Sequence, residues 1–128
     1  MTAGRGALAV GSATVGTGLL AGAFVLMARA EASTWAMLAW GIVALVAVAA
    51  FLARFRADRV QEALALALPV AVGQTLALHA VVMVLLGAEL PAPLVVLRHL
   101  IAFAVLDALT LVMATLASHW FPQRPSSR

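Results

Sequence analysis

The chain contains no cysteine and no lysine among its 128 residues. Without cysteine it has no thiol nucleophile, no disulfide bond and no cysteine-ligated zinc site. Without lysine it has neither the phosphate-binding residue of a P-loop nor an amine for Schiff-base chemistry. These two absences exclude several large classes of enzyme before any pattern in the sequence is considered.

Charged residues are also scarce, at 10% of the chain, whereas 65% of the residues are hydrophobic. Soluble domains are roughly half apolar and about a quarter charged, so a soluble fold of this length would leave much apolar surface in water. The net charge of +3 comes from arginine alone, and no basic patch alternates with aromatic residues as in nucleic-acid-binding proteins. We therefore expect the lipid bilayer, and not a nucleic acid, to surround this chain.

Long apolar runs account for most of the sequence, and each reaches the ~20 residues that a helix needs to cross a bilayer. Backbone groups in lipid must bond within the chain, so these runs are predicted to be helices. The prediction is one all-α integral membrane domain over residues 1–128, with helices at about 7–28, 35–53, 63–88 and 94–120 and a disordered polar tail at 121–128.

The connections between these runs are too short to fold alone, which predicts an up-down bundle of two helical hairpins. Most arginines then fall on one side of the membrane, namely Arg5, Arg54, Arg56, Arg59, Arg124 and Arg128. Only Arg29 and Arg98 fall on the other side. The positive-inside rule therefore places both termini in the cytoplasm of a multi-pass protein of the cell inner membrane.

The basic loop that contains Arg54, Arg56 and Arg59 is interpreted as a topology anchor that also touches anionic headgroups. A docking site for a cytoplasmic partner is the alternative interpretation. A second open question concerns helix 1, since Arg5, an apolar stretch and Ala28-Arg29-Ala30 are similar to a cleavable signal peptide. The apolar region exceeds the ~7–15 residues of such a signal, so we expect helix 1 to be retained.

Small residues form a ridge along helix 1, at Gly11, Thr14, Gly18 and Gly22. Such a ridge lets two backbones approach closely, which is how helices associate where lipid supplies no hydrophobic drive. Two interpretations follow. The ridge packs against helix 2 or 4 of the same chain, or it binds a second copy or another membrane protein.

Asp107 lies near the middle of helix 4, where an ionised side chain costs ~3 kcal/mol or more. The side chain must therefore stay protonated or find partners. In a hairpin that turns near residues 89–92, Gln74 and Thr75 lie level with Asp107, and His79 lies one turn further out. This predicts a buried polar cluster, which serves either as a proton-titrating site or as hydrogen-bonding glue between helices.

Histidines at 79, 99 and 119 allow one further hypothesis, a haem between His79 and His99 or a metal beside His79. The pattern is not specific, and we expect no cofactor and no metal. Enzymatic activity is not expected either, because no nucleophile and base can be placed together in one aqueous site.

The sequence favours an accessory or assembly subunit of a larger membrane complex, acting through helix–helix contacts with a membrane-protein partner or a second copy. The alternative is a small homodimeric proton-coupled transporter that uses Asp107 and His79. A haem- or metal-bearing membrane anchor is the third and weakest hypothesis.

Overall fold

A computed structural model describes residues 3–120 of the chain. Over that range the protein is helical and has no strand. The four helices are α1 (Ala3–Arg29), α2 (Thr34–Leu52), α3 (Val60–Leu86) and α4 (Pro93–Trp120). Each is long and apolar enough to cross a membrane, so the prediction of four candidate membrane-spanning helices is confirmed. The polar tail predicted at 121–128, with Arg124 and Arg128, lies outside the described residues.

The ends of α3 differ from the predicted bounds for local reasons. The helix begins at Val60 because the polar Gln61 and Glu62 form a first turn that extends beyond the apolar run. It ends at Leu86 because Gly87 adopts a left-handed backbone conformation, with φ of 63°. Glycine reaches that conformation without the steric cost of a Cβ, and it is a common way to end a helix.

Helix α3 lies at the centre of the molecule, where it packs extensively against both α1 and α4. Helix α2 packs mainly along α1 and touches α4 only slightly, and α2 and α3 make no close backbone approach. The last residue of α1 marks its direction relative to α3, since Arg29 Nη1 donates to the Leu85 carbonyl at 3.0 Å. The C-terminal ends of α1 and α3 therefore lie side by side, and the two helices run in the same direction.

Small residues explain why α1 packs so closely on α3. A Cβ at Gly18 would lie 3.7 Å from Ala77 Cβ, and a Cβ at Gly22 would lie 3.9 Å from Val81. Thr14, from the same ridge, lies against Gly73 of α3. Most of the ridge is thus used inside the chain, against α3 and not against α2 or α4 as one interpretation predicted.

Gly11 is the member of the predicted ridge that does not join this interface. A Cβ at Gly11 would meet nothing within 4 Å. The residue instead lines an apolar cavity of about 700 Å³ between α1 and α2. The buried residues of α1 follow a neighbouring face, at Ala9, Ala13, Thr17 and Val25.

The link between α2 and α3 closes one end of the bundle. Phe55 and Ala57 are buried, and the Ala57 amide donates to Thr115 Oγ1 of α4 at 3.4 Å. His119 Nε2 donates to the Asp58 carbonyl at 3.2 Å. The link is therefore folded into the core, although its three arginines, Arg54, Arg56 and Arg59, are exposed as expected of a basic loop.

Candidate functional site around Asp107

Three polar residues meet at mid-length of three different helices. Thr17, Gln74 and Asp107 each lie fourteen residues after the first residue of α1, α3 and α4, which are 27, 27 and 28 residues long. All three are buried, with exposed fractions of 8%, 2% and 4%. In membrane-spanning helices this depth corresponds to the bilayer centre, where polar side chains are costly and are commonly functional.

The Gln74 amide connects the other two residues. One end of the amide lies 2.5 Å from Asp107 Oδ2 and 3.2 Å from Oδ1, and the other end lies 3.2 Å from Thr17 Oγ1. We call this arrangement the Asp107 triad. The two amide orientations correspond to two protonation states of Asp107, because an amide nitrogen can only donate and its oxygen can only accept.

With Asp107 ionised, the Gln74 nitrogen donates to the carboxylate and the amide oxygen accepts from the Thr17 hydroxyl. In the other orientation the Gln74 nitrogen donates to Thr17 Oγ1 at 3.2 Å, and a protonated Asp107 could donate its hydroxyl hydrogen to the Gln74 oxygen. The triad therefore keeps its hydrogen bonds in both states.

Asp107 also lines a cavity of about 1160 Å³ that lies between α2 and the other three helices. Its wall is largely aliphatic, with the aromatic residues Phe24, Trp40 and Phe103. Apart from the Trp40 indole, the polar side chains in the wall are Thr17, Thr34, Gln74, Asp107 and Thr110. Among the lining residues Asp107 is the one titratable group.

Two other residues of the predicted cluster do not reach Asp107. Thr75 is buried, but its hydroxyl donates to the Ala71 carbonyl of its own helix at 2.7 Å. His79 lies against His99 of α4, with ring centroids 5.0 Å apart in an edge-to-face arrangement. Of the predicted partners, the structure brings Gln74 to Asp107.

The sequence interpretation missed Thr17, which completes the triad from α1. The neighbouring small residues of helix 1 were interpreted as a packing ridge, and Thr17 lies on the face beside that ridge. One signal in the sequence was available, since Thr17 lies at the same depth in helix 1 as Gln74 does in helix 3. That signal becomes meaningful only once α1 and α3 are known to be neighbours.

The arrangement of the histidine pair does not suit a haem. His79 and His99 are in edge contact, which leaves no room for a porphyrin between them. His99 Nδ1 also donates to the Val95 carbonyl at 2.8 Å. In the described part of the chain, no group of three or more histidine, aspartate or glutamate side chains is arranged to hold a metal ion.

Comparison with known proteins adds no candidate function, because no family model, no curated protein and no solved structure matches this chain. Function must therefore be inferred from the triad and its cavity.

Proposed function

We propose that this chain is a small proton-coupled transporter in which Asp107 takes up and releases the proton. The observation that carries the proposal is the place of Asp107, which is buried at mid-length of α4 and lines a cavity of about 1160 Å³. An acid that served only as glue would be sealed between helices, with no space beside it for a ligand. Here Asp107 contacts Gln74 through its carboxyl group and is also one of the residues that line the cavity.

The triad supports a change of protonation. No basic side chain among residues 3–120 forms an ion pair with Asp107, so an ionised carboxylate would depend on Gln74 and on whatever enters the cavity. The Gln74 amide can rotate by half a turn, so that its nitrogen and oxygen exchange places. The Thr17 hydroxyl then changes from hydrogen-bond acceptor to donor or the reverse. Because neither state leaves a buried polar atom without a partner, neither pays the full desolvation cost of an unsatisfied group.

We also propose that the helices form two antiparallel hairpins in the cell inner membrane, with both termini in the cytoplasm. Arg5 Nη2 donates to the Arg54 carbonyl at 3.0 Å, so the start of α1 and the end of α2 share one end of the bundle with the basic loop. Arg29 and Arg98 belong to the other end. This distribution supports the orientation through the positive-inside rule.

His79 is left out of the proposed site. It contacts His99 and is not among the residues that line the cavity, so it has no evident route to the Asp107 proton. A homodimer formed through the helix-1 ridge also loses support, because α3 occupies most of that ridge.

A second candidate is an accessory or assembly subunit, and the observation that favours it concerns α2. This 19-residue helix buries only Leu52. A helix of another membrane protein that covered α2 and filled the neighbouring cavity would complete its packing. Extraction in a mild detergent, followed by intact-mass measurement, distinguishes the two candidates, since a stoichiometric complex with another protein supports the subunit and a lone chain supports the transporter.

Infrared difference spectroscopy of the reconstituted protein tests the main proposal directly. The protonated carboxyl band of Asp107 should disappear as the pH rises within the range of about pH 5 to pH 9. Asp107→Asn should remove the band. Glu89→Gln is the matched control, because Glu89 is an exposed acid between α3 and α4. A band that stays constant over the whole range, and after any ligand is added, would identify Asp107 as permanent interhelical glue.

A further inference from the structure

We infer that the ligand of the Asp107 cavity is a lipophilic organic cation, with one positive charge and a bulky apolar body. This inference rests on the proposed function, since it takes Asp107 to be an exchangeable carboxyl group. It goes further by naming the chemical class that would replace the proton.

The size and wall of the cavity indicate the apolar body. A volume of about 1160 Å³ slightly exceeds the roughly 300–1,000 Å³ of typical small-molecule sites, so the cavity has room for a bulky ligand. The wall consists mainly of leucine, valine, alanine and isoleucine side chains from all four helices. Sugars and other hydroxyl-rich molecules would lose their hydrogen bonds to water there, because three threonines and Gln74 supply few replacements.

The charge of the cavity indicates the sign of the ligand. Asp107 is the one titratable residue in the wall, and no arginine or histidine lines it. An anion would meet an acid and no compensating cation. A zwitterion would leave its negative end without a basic partner. A cation alone gains from an ionised Asp107, since opposite charges attract strongly where water is scarce.

Aromatic side chains add a second source of attraction for a positive charge. Phe24, Trp40 and Phe103 line the cavity from α1, α2 and α4, respectively. The face of an aromatic ring attracts a cation by about 0.5–2 kcal/mol, and tryptophan is the strongest of the three types. The cavity thus combines a carboxyl group with aromatic rings, which are the two features that bind quaternary ammonium and phosphonium ions.

The exchange is balanced in atoms and charge. When the cation binds, the O–H bond of the Asp107 carboxyl group breaks, the proton leaves to water, and the carboxylate pairs with the bound cation. Nothing is oxidised or reduced. The polar residues next to Asp107 are Thr17 of α1 and Gln74 of α3, neither of which titrates. Helix α2 has no titratable residue. The titratable residues nearest along α3 and α4 are His79 and His99, which do not line the cavity. One proton should therefore be released for each cation bound.

Other occupants of the cavity are distinguishable. A lipid acyl chain or a helix of a partner protein would fill an apolar groove equally well, but neither would require a carboxylate. Tetraphenylphosphonium and tetraphenylborate provide a suitable pair of probes, because they share a shape and differ in the sign of their charge.

The experiment measures binding of both probes to the purified full chain by equilibrium dialysis, with protein-free micelles as the blank and a pH indicator for released protons. Tetraphenylphosphonium should bind at least about tenfold more tightly than tetraphenylborate, with close to one proton released. Asp107→Asn should weaken tetraphenylphosphonium binding by at least about tenfold and abolish the release. Glu89→Gln should change neither.

Each result decides between the two inferences. Equal binding of both probes, or unchanged phosphonium binding by Asp107→Asn, would overturn the cationic ligand, while the infrared titration of Asp107 would still support proton coupling. Selective phosphonium binding without proton release would support the cationic site and overturn the exchange on which transport depends. If Asp107→Asn does not fold, the comparison of the two probes on the unmodified chain still decides the sign of the ligand.

Discussion

Gly73 of α3 lies directly against the Thr14 hydroxyl of α1, so closely that a Cβ at position 73 would overlap Thr14 Oγ1. The threonine cannot easily turn away, because its hydroxyl donates to the Val10 carbonyl at 2.7 Å. This contact lies one residue before Gln74, so the close approach of the two helices also brings Thr17 within hydrogen-bond distance of Gln74, at 3.2 Å.

Gly73→Ala should therefore destabilise the protein by about 1–3 kcal/mol, as expected when a methyl group is forced into a packed interface. Unfolding of the protein in mixed micelles would measure the change. Gly16→Ala is the control, because a Cβ there meets nothing within 4 Å. The double variant Gly73→Ala with Thr14→Ala should recover much of the loss. A neutral Gly73→Ala would show that α1 and α3 do not approach this closely.

Trp40 provides a polar attachment between α2 and α1. Its indole Nε1 donates to the Leu20 carbonyl at 3.1 Å, and α2 is otherwise loosely packed. Trp40→Phe should loosen α2, at a cost of about 0.6 kcal/mol, a typical value for a hydrogen bond between membrane helices. Spin labels on α2 and α4 should report a broader distance distribution. Trp35→Phe, at an exposed position, should leave the distribution unchanged.

Thr115 supports the link that closes the end of the bundle. It is fully buried, and its Oγ1 donates to the Leu111 carbonyl while accepting from the Ala57 amide. Thr115→Val keeps the shape and leaves the Ala57 amide without that partner, so we expect a loss of about 1 kcal/mol. Proteolysis within residues 53–59 should accelerate. Thr110→Val is the control, since Thr110 bonds only its own helix; equal effects of the two would contradict this role of Thr115.

His79 has a buried Nε2 without a hydrogen-bond partner. Replacing such a group by an apolar one of similar shape is neutral or stabilising, so His79→Phe should keep or raise the unfolding temperature. The edge contact with His99 would be preserved by the new ring. His79→Phe should also leave phosphonium binding and the infrared band of Asp107 unchanged. Loss of phosphonium binding or of the infrared band in this variant would show that His79 takes part in the site.

The positions of the four helices follow directly from the sequence, because the lipid environment forces each apolar run into a helix. Asp107 and Gln74 could be paired for a similar reason, since α3 and α4 are joined by a short link and equal depth then implies contact. The depth of a residue in the membrane does not determine which neighbouring helix its side chain faces. That is why Thr75 and His79 were expected beside Asp107 and instead bond Ala71 and contact His99.

Contacts between helices that are not consecutive were harder to predict. The helix-1 ridge indicates a close neighbour but does not identify it, because any helix with small residues at the right depth would fit. Gly73 and Ala77 of α3 meet that condition, as do many alanines elsewhere in the chain. The buried Phe55 and Ala57 were missed because a short link between membrane helices ordinarily stays in water.

The central place of α3 has a consequence for biosynthesis. Helices α1 and α2, which precede α3 in the chain, share only a limited contact, and Thr17 has no polar partner on α2 among the hydrogen bonds of the structure. Before α3 is synthesised, α1 and α2 therefore lack most of the contacts that hold them in the finished structure. We expect α3 to cover the glycine ridge of α1 and supply Gln74 once it is synthesised, and α4 to add Asp107 after it. A nascent chain truncated before α3 should accordingly be a good substrate for membrane quality control.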